Sequence, residues 1–87
     1  MYYVYILHSL GFDKYYIGQT NAIQNRLNRH NSGYEKATKP YLPWELVCVI
    51  TKNTRSEAMA LEKKLKNLNK IRIRSFIEKY NGGRDDS

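Results

Sequence analysis

Tyr5, Tyr16, Arg26, His30 and Glu62 are the side chains of this sequence from which a reactive centre can be assembled. Tyr5 and Tyr16 fall in two short aromatic and aliphatic runs, Tyr3-Val4-Tyr5 and Tyr16-Ile17-Gly18, either side of Leu10-Gly11-Phe12-Asp13. Arg26 and His30 are four residues apart, so on a helix they share one face. Glu62 borders the apolar stripe Ala58, Leu61, Leu65 and Leu68. Other chemistries lack their residues. There is no Gly-rich nucleotide loop, no serine in a nucleophile elbow and no pair of histidines at metal spacing, so acyl transfer and zinc hydrolysis have no support. Proton handling and anion binding by the tyrosines, Arg26, His30 and Glu62 are what remain.

These side chains need a scaffold. The two runs read as a β-hairpin, rich in β-branched and aromatic residues and separated by Ser, Gly and Asp. A four-residue turn over Ser9 to Phe12 pairs His8 with Asp13 and Tyr5 with Tyr16, so the phenols lie side by side on one face. Val4, Ile6, Tyr15 and Ile17 then point to the opposite, more apolar face, the natural core side. Gly18 falls on the tyrosine face, where a glycine in a strand signals close approach of a ligand or another backbone. A helix over 22–31 follows, capped by Thr20 or Asn21, carrying Ile23 and Leu27 and ending at Ser32-Gly33. Tyr34 to Pro43 reads as an irregular basic loop, and Trp44 to Ile50 as an apolar third strand covered on much of both faces. Thr54 and Glu57 form a capping-box pattern before the Ala58, Leu61, Leu65, Leu68 helix. Ile73, Phe76, Ile77 and Tyr80 predict a last helix from Ile71 to Tyr80, although Ile71-Arg72-Ile73-Arg74 alternates as a strand would. The order β-β-α-β-α-α implies an α/β protein of the α+β kind: a small, at least partly antiparallel three-stranded sheet packed with about three helices.

The 87 residues suffice for one modest core, and residues 1–81 are expected to form one domain with a flexible tail over 82–87. Fifteen Lys and Arg against eight Asp and Glu give a net charge of +7. The excess gathers in residues 52–84, in Lys52, Arg55, Lys63, Lys64, Lys66, Lys70, Arg72, Arg74, Lys79 and Arg84. A basic domain with interspersed tyrosines points to a polyanionic partner. Cys48 is the only cysteine, which excludes a disulfide framework or thiolate metal site and fits a reducing cytoplasm. No basic leader precedes an apolar stretch, and no run approaches the about 20 apolar residues of a membrane span, so a soluble cytoplasmic protein is expected.

Singly, each reactive residue has a plainer reading: sheet tyrosines as core or rim, Arg26 and His30 as a solvated helix face, Glu62 as the i, i+4 partner of Lys66. Together they resemble the GIY-YIG nuclease superfamily over nearly the whole chain, from Tyr2 to about Asn81. The second signature triplet stands intact as Tyr16-Ile17-Gly18 and the first as Tyr3-Val4-Tyr5, with the tyrosine eleven residues before Tyr16. Tyr3 replaces the glycine of the first triplet. Arg26 and His30 follow in the family's order, and Glu62 takes the place of its metal-binding glutamate.

The resemblance implies metal-dependent hydrolysis of a nucleic-acid phosphodiester, with Mg²⁺ or Mn²⁺ on Glu62. Arg26 suits nonbridging phosphate oxygens. Tyr5 becomes the candidate base, with Tyr16 orienting water or phosphate, provided that nearby positive charge lowers a phenol pKa of about 10. His30 can alternatively take that proton or bond a phosphate oxygen. Gly18, Lys36, Lys39 and Asn81 are candidate substrate contacts, Asn81 as the best match to a late asparagine of the family. The chain resembles the stand-alone branch. DNA cut by structure rather than sequence, a possible targeting partner, or a non-catalytic nucleic-acid-binding module are the expectations that follow.

Overall fold

A computed structural model describes the backbone of residues 1–85 and the side chains of residues 1–81. Strands β1 (Tyr2–Ser9) and β2 (Lys14–Thr20) form the hairpin. Helix α1 (Ile23–Asn31), strand β3 (Trp44–Lys52), and helices α2 (Arg55–Lys66) and α3 (Lys70–Asp85) follow. The sheet is antiparallel throughout, in the order β2-β1-β3. The expected β-β-α-β-α-α order of an α+β fold is therefore present. None of the helices is long and apolar enough to cross a membrane, among the described residues.

The hairpin register differs from the expected one by two residues. Tyr5 pairs with Gly18, Leu7 with Tyr16 and Ser9 with Lys14. The four-residue turn is Leu10 to Asp13, because Asp13 adopts the left-handed backbone (φ 51°) and its N–H donates to the Ser9 carbonyl at 2.9 Å. Aspartate tolerates that conformation better than most residues, so the turn closes one position later than the Gly11-centred reading expects. A two-residue shift preserves side-chain parity, and Tyr5 and Tyr16 stay on one face as diagonal neighbours.

Each face of the sheet carries its own apolar cluster. Val4, Ile6, Ile17, Cys48 and Ile50 pack under Ala58 and Leu65 of α2 and Ile73 of α3. On the tyrosine face Tyr5, Leu7 and Trp44 meet Ile23 and Leu27 of α1. Between Ile6 and Leu7 the pairing with β3 slips, leaving Val47 as an extra residue. Thr54 caps α2 as its sequence demands: its hydroxyl accepts from the Glu57 N–H and Glu57 accepts from the Thr54 N–H, both at 3.2 Å. The cap of α1 departs from expectation. Its N-cap is Ala22 without a side-chain bond, and the Thr20 hydroxyl instead accepts from the Ala22 N–H at 3.0 Å, in the turn before the helix. The 34–43 loop contains one short 3₁₀ turn, Lys39–Tyr41.

Helix α3 takes in the alternating Ile71-Arg72-Ile73-Arg74 stretch and continues through residues 82–85 of the expected tail, while 86 and 87 lie outside the described residues. Once nucleated, a helix extends at little cost per residue. Its first turns dock on the hairpin turn through Asp13. Arg74 donates to Asp13 Oδ2 at 2.5 Å, Lys70 lies 3.4 Å from the same oxygen, and His8 Nε2 lies 2.9 Å from Oδ1. The Arg74 hydrogen bond, followed by that of His8, holds the Asp13 carboxyl well below the usual carboxylate range.

Two expectations follow for the fold. A carboxyl depressed in the folded chain contributes stability above its unfolded value of about 3.9, and that contribution is lost as pH falls through the folded value. Amide exchange in α3 is therefore expected to accelerate relative to β1 as pH falls below about 4, and Asp13→Asn to reproduce this at pH 7; equal protection of α3 in the variant would dismiss the clamp. At Gly18 a Cβ would lie 2.5 Å from the Tyr5 hydroxyl oxygen and 2.7 Å from Cζ. Gly18→Ala is expected to cost about 1–3 kcal/mol, as overpacking does, read in a denaturant midpoint together with displaced Tyr5 ring resonances.

Candidate active site

The close approach signalled by Gly18 is made by a side chain of the same sheet. The Tyr5 ring starts on the central strand and lies across the Gly18 backbone toward edge strand β2. Tyr16 stands beside it, ring centroids 6.3 Å apart. The His30 ring faces both, with centroids 5.9 Å from Tyr5 and 4.8 Å from Tyr16. The Tyr5 hydroxyl lies 3.0 Å from His30 Nε2, and His30 Nδ1 lies 2.9 Å from the Thr38 hydroxyl. All three side chains are enclosed: Tyr5 is 2% exposed, His30 1% and Thr38 0%.

The loop carrying Thr38 is tied down on both sides. The Trp44 indole donates to the Thr38 carbonyl at 2.8 Å, and the Trp44 backbone exchanges two hydrogen bonds with the Asn31 amide, at 2.8 and 3.1 Å. Ser9, fully buried, donates to the Tyr41 carbonyl at 2.7 Å. Lys36 and Lys39 project from the exposed side of this loop.

Burial dominates the electrostatics of this half. It pushes the Tyr5 phenol up to about 12, Tyr16 adds to the rise, and the Arg26 guanidinium opposes it. The expected lowering of the Tyr5 pKa is therefore absent from the free protein, because desolvation of the phenolate outweighs one nearby cation. Burial also lowers the His30 pKa; Arg26 and Arg29 act in the same direction and Glu35 against it. His30 is held as a neutral imidazole.

The charged half comes from the opposite side of β2. Gln19, two residues after Ile17 and on the α2 side of the strand, donates to Glu62 Oε1 at 2.9 Å. Lys66, one turn along α2, pairs with Glu62 Oε2 at 2.9 Å. The Glu62 hydrogen bond raises the Lys66 pKa, with a further contribution from the field of Tyr16. The Glu62 charge in turn reaches Tyr5. Tyr5, Tyr16, Arg26, His30 and Glu62 are thus brought to one edge of the sheet, Glu62 reaching it from beyond β2. Next to them opens a polar groove of about 320 Å³ lined by Tyr2, Gln19, Thr20, Asn21, Arg26 and Arg55. Among the described residues, the Arg55 side chain has no hydrogen bond or ion pair.

Asn81 is placed elsewhere. Its amide donates to the Val47 carbonyl at 3.1 Å, fastening α3 to the bulge of β3. Gln19, Thr38, Lys66 and Arg55 are the neighbours that sequence reasoning did not assign to the site. The spacing of Glu62 and Lys66 signals a pair, whereas nothing local marks Thr38. Among the described residues no three His, Cys, Asp or Glu side chains come together, and Glu62 is the carboxylate whose charge acts on Tyr5.

No curated protein matches the chain. It is similar to the solution structure of the UPF0213 protein BH0048 from Bacillus halodurans, at 30% sequence identity and a TM-score of 0.58, over 90% of this chain and 84% of that one. The model of the GIY-YIG catalytic domain matches residues 1–81, which hold every residue of the site just described. The chain therefore belongs to the GIY-YIG family, a branch of the nuclease superfamily of that name.

Proposed function

We propose that this protein is a divalent-metal-dependent endonuclease that hydrolyses phosphodiester bonds of DNA, choosing its target by structure rather than sequence. The observation that carries the reading is the convergence of a buried Tyr5–His30 pair, the Arg26 guanidinium and the Glu62 carboxylate at the edge of β2. Family membership supplies the nucleic-acid class of substrate, and a net charge of +7 suits a polyanion.

Glu62 suits Mg²⁺ or Mn²⁺. It is a hard oxygen donor, and its Oε2 already holds a cation, the Lys66 ammonium. Gln19 orients the carboxylate through Oε1. A lone carboxylate is the usual protein share of a magnesium site, with water and substrate phosphate as the remaining ligands. When bound, such an ion offsets phosphate charge and favours attack by water. Arg26 holds nonbridging oxygens of the scissile phosphate in its fork and stabilises the charge that builds up on them. Tyr16, at the same edge, orients water or phosphate. Tyr5 and His30 receive the proton that water gives up.

The groove beside Arg26 accommodates the adjoining stretch of strand, with the unpaired Arg55 as a phosphate contact. Lys36 and Lys39 lie at the margin of the His30 half and act as further phosphate contacts. With no element shaped to reach base edges among the described residues, these contacts bind without reading sequence. Activity in a cytoplasmic setting and delivery by a targeting partner fit a small basic domain of this kind. A second reading, a nucleic-acid-binding module without turnover, is favoured by one observation: in the free protein Tyr5 is held protonated and both Glu62 oxygens are engaged.

Cleavage assays on branched, flapped, single-stranded and duplex DNA with Mg²⁺ or Mn²⁺ separate these readings. Glu62→Ala and Arg26→Ala are each expected to slow cleavage by about 100-fold or more; cutting that survives either change, or persists in chelator, would remove the proposed site. Tight binding without cleavage of any substrate would establish the second reading. For the groove, Arg55→Gln is expected to weaken DNA binding several-fold and to reduce the salt slope by about one, while single-turnover cleavage at saturating protein stays as in the parent. An unchanged slope would place the strand elsewhere.

A further inference from the structure

Thr38 lies outside every residue set discussed so far as reactive, yet it is fully buried and its hydroxyl meets the imidazole of the site. We propose that Thr38 is a positioning residue that locks His30 in the tautomer protonated on Nδ1, leaving Nε2 as the acceptor for the Tyr5 hydroxyl proton.

The assignment follows from counting donors. The Tyr5 phenol is neutral in the free protein and carries one hydrogen. Tyr16 and Glu62 act on it only through their charge, and its hydrogen-bonding partners are His30 Nε2 at 3.0 Å and the Arg26 guanidinium, which has donors only. His30 Nε2 is therefore the acceptor available to the phenol. A neutral imidazole with an unprotonated Nε2 carries its hydrogen on Nδ1. That hydrogen needs an acceptor, since no buried polar side-chain atom of the described protein is left without a partner. The Thr38 oxygen, 2.9 Å away, accepts it, and its own hydrogen goes to the Glu35 carbonyl at 3.4 Å. Each group thus donates once, in the direction Tyr5 to His30 to Thr38 to Glu35.

The surroundings hold Thr38 in place by a closed circuit. His30 is bonded in sequence to Asn31, Asn31 exchanges hydrogen bonds with the Trp44 backbone, and the Trp44 indole returns to the Thr38 carbonyl. The hydroxyl is thereby fixed relative to the imidazole from both chain directions. Valine would fill the same space without an acceptor, whereas serine would keep one.

The consequence for catalysis rests on the nuclease reading. As the attacking water bonds to phosphorus and the bond from phosphorus to the leaving strand's oxygen breaks, one water proton passes to the Tyr5 oxygen, the Tyr5 hydroxyl proton passes to His30 Nε2, and the departing alkoxide takes a proton from solvent water. Tyr5 ends neutral, His30 becomes an imidazolium with hydrogens on both nitrogens, and Thr38 still accepts from Nδ1. The extra proton returns to solvent water once the product leaves. In this arrangement Tyr5 is never required to exist as a free phenolate, which its burial disfavours.

The test is a two-bond ¹H–¹⁵N correlation spectrum of the His30 ring in the substrate-free, metal-free protein, with Thr38→Val and Thr38→Ser beside the parent. Parent and Thr38→Ser are expected to show the Nδ1–H form alone, and Thr38→Val a mixture of both tautomers. In cleavage assays kcat of Thr38→Val is expected to fall about tenfold, the scale of one buried hydrogen bond, with KM for DNA unchanged and serine restoring the rate. A parent spectrum of the Nε2–H form would overturn the proposal without any variant, and so would a Thr38→Val protein that keeps the parent spectrum. A protein with the Nδ1–H spectrum and no nuclease activity on any substrate would sustain the tautomer lock and end the nuclease reading instead.

Discussion

The approach of the Tyr5 ring to the Gly18 backbone sets the geometry of the whole site. Tyr5 is rooted on the central strand, so its side chain must cross the neighbouring strand to reach the open edge of the sheet. Only a residue without a Cβ leaves that path clear, since any Cβ would fall well inside contact distance of the ring. The crossing brings the hydroxyl against His30, and His30 in turn requires a buried partner, which the 34–43 loop supplies through Thr38. A strand, a helix and an otherwise irregular loop are thus positioned by one steric allowance. In an 87-residue domain such economy matters, because the apolar cluster on the tyrosine face, Tyr5, Leu7 and Trp44, includes a member of the hydrogen-bonded Tyr5–His30 pair. Packing and chemistry on that face are the same contacts.

The two halves of the site solve opposite electrostatic problems. On the α1 side burial keeps Tyr5 and His30 neutral, and a chain of hydrogen bonds satisfies them without charge. On the α2 side Glu62 keeps a carboxylate partly in contact with solvent, with Gln19 and Lys66 holding its oxygens. Had both halves been charged and buried, desolvation would outweigh their attraction. Edge strand β2 lies between them, and the polar groove opens beside Arg26 and Gln19. In the proposed nuclease, Arg26 neutralises an anionic phosphodiester at this edge, with the Tyr5–His30 pair beside it to take the proton of the attacking water.

Element types, the two strand faces and the capping box of α2 were legible in the sequence because each rests on local chemistry: alternation for Val4, Ile6 and Ile17, a three-residue spacing for Thr54 and Glu57, helical periodicity for Ala58 and Leu65. Register was not. Gly11 is the more obvious turn residue, and the left-handed conformation falls instead on Asp13, which moves Tyr5 from opposite Tyr16 to opposite Gly18. The parity of the side chains survives a shift of two, which is why the tyrosine face could be read correctly from a wrong pairing. That Arg26, His30 and Glu62 lie near Tyr5 was expected from the family's spacing, but the state of Tyr5 was not, because desolvation depends on what the ring is packed against. Thr38 left no trace at all: between Lys36 and Lys39 in a proline-bearing loop it looks like solvent-facing filler, and only tertiary closure by Trp44 and Asn31 turns it inward.

The position of Lys66 connects the charged half to the order of events at the site. Its ammonium neutralises Glu62 in the free protein, across an i, i+4 spacing that would be worth little on an exposed helix. Here the carboxylate is 18% exposed and also held by Gln19, so an unpaired Glu62 would carry a larger penalty than a surface glutamate. A cation that replaces Lys66 must offset the loss of that pair, and a lone carboxylate does so weakly. In the proposed nuclease, phosphate oxygens beside Glu62 would change the balance in two ways: they would add hard ligands for a divalent ion and give the displaced Lys66 ammonium an anion to face. If Glu62 holds the metal as proposed, substrate and metal therefore favour each other's arrival at this edge.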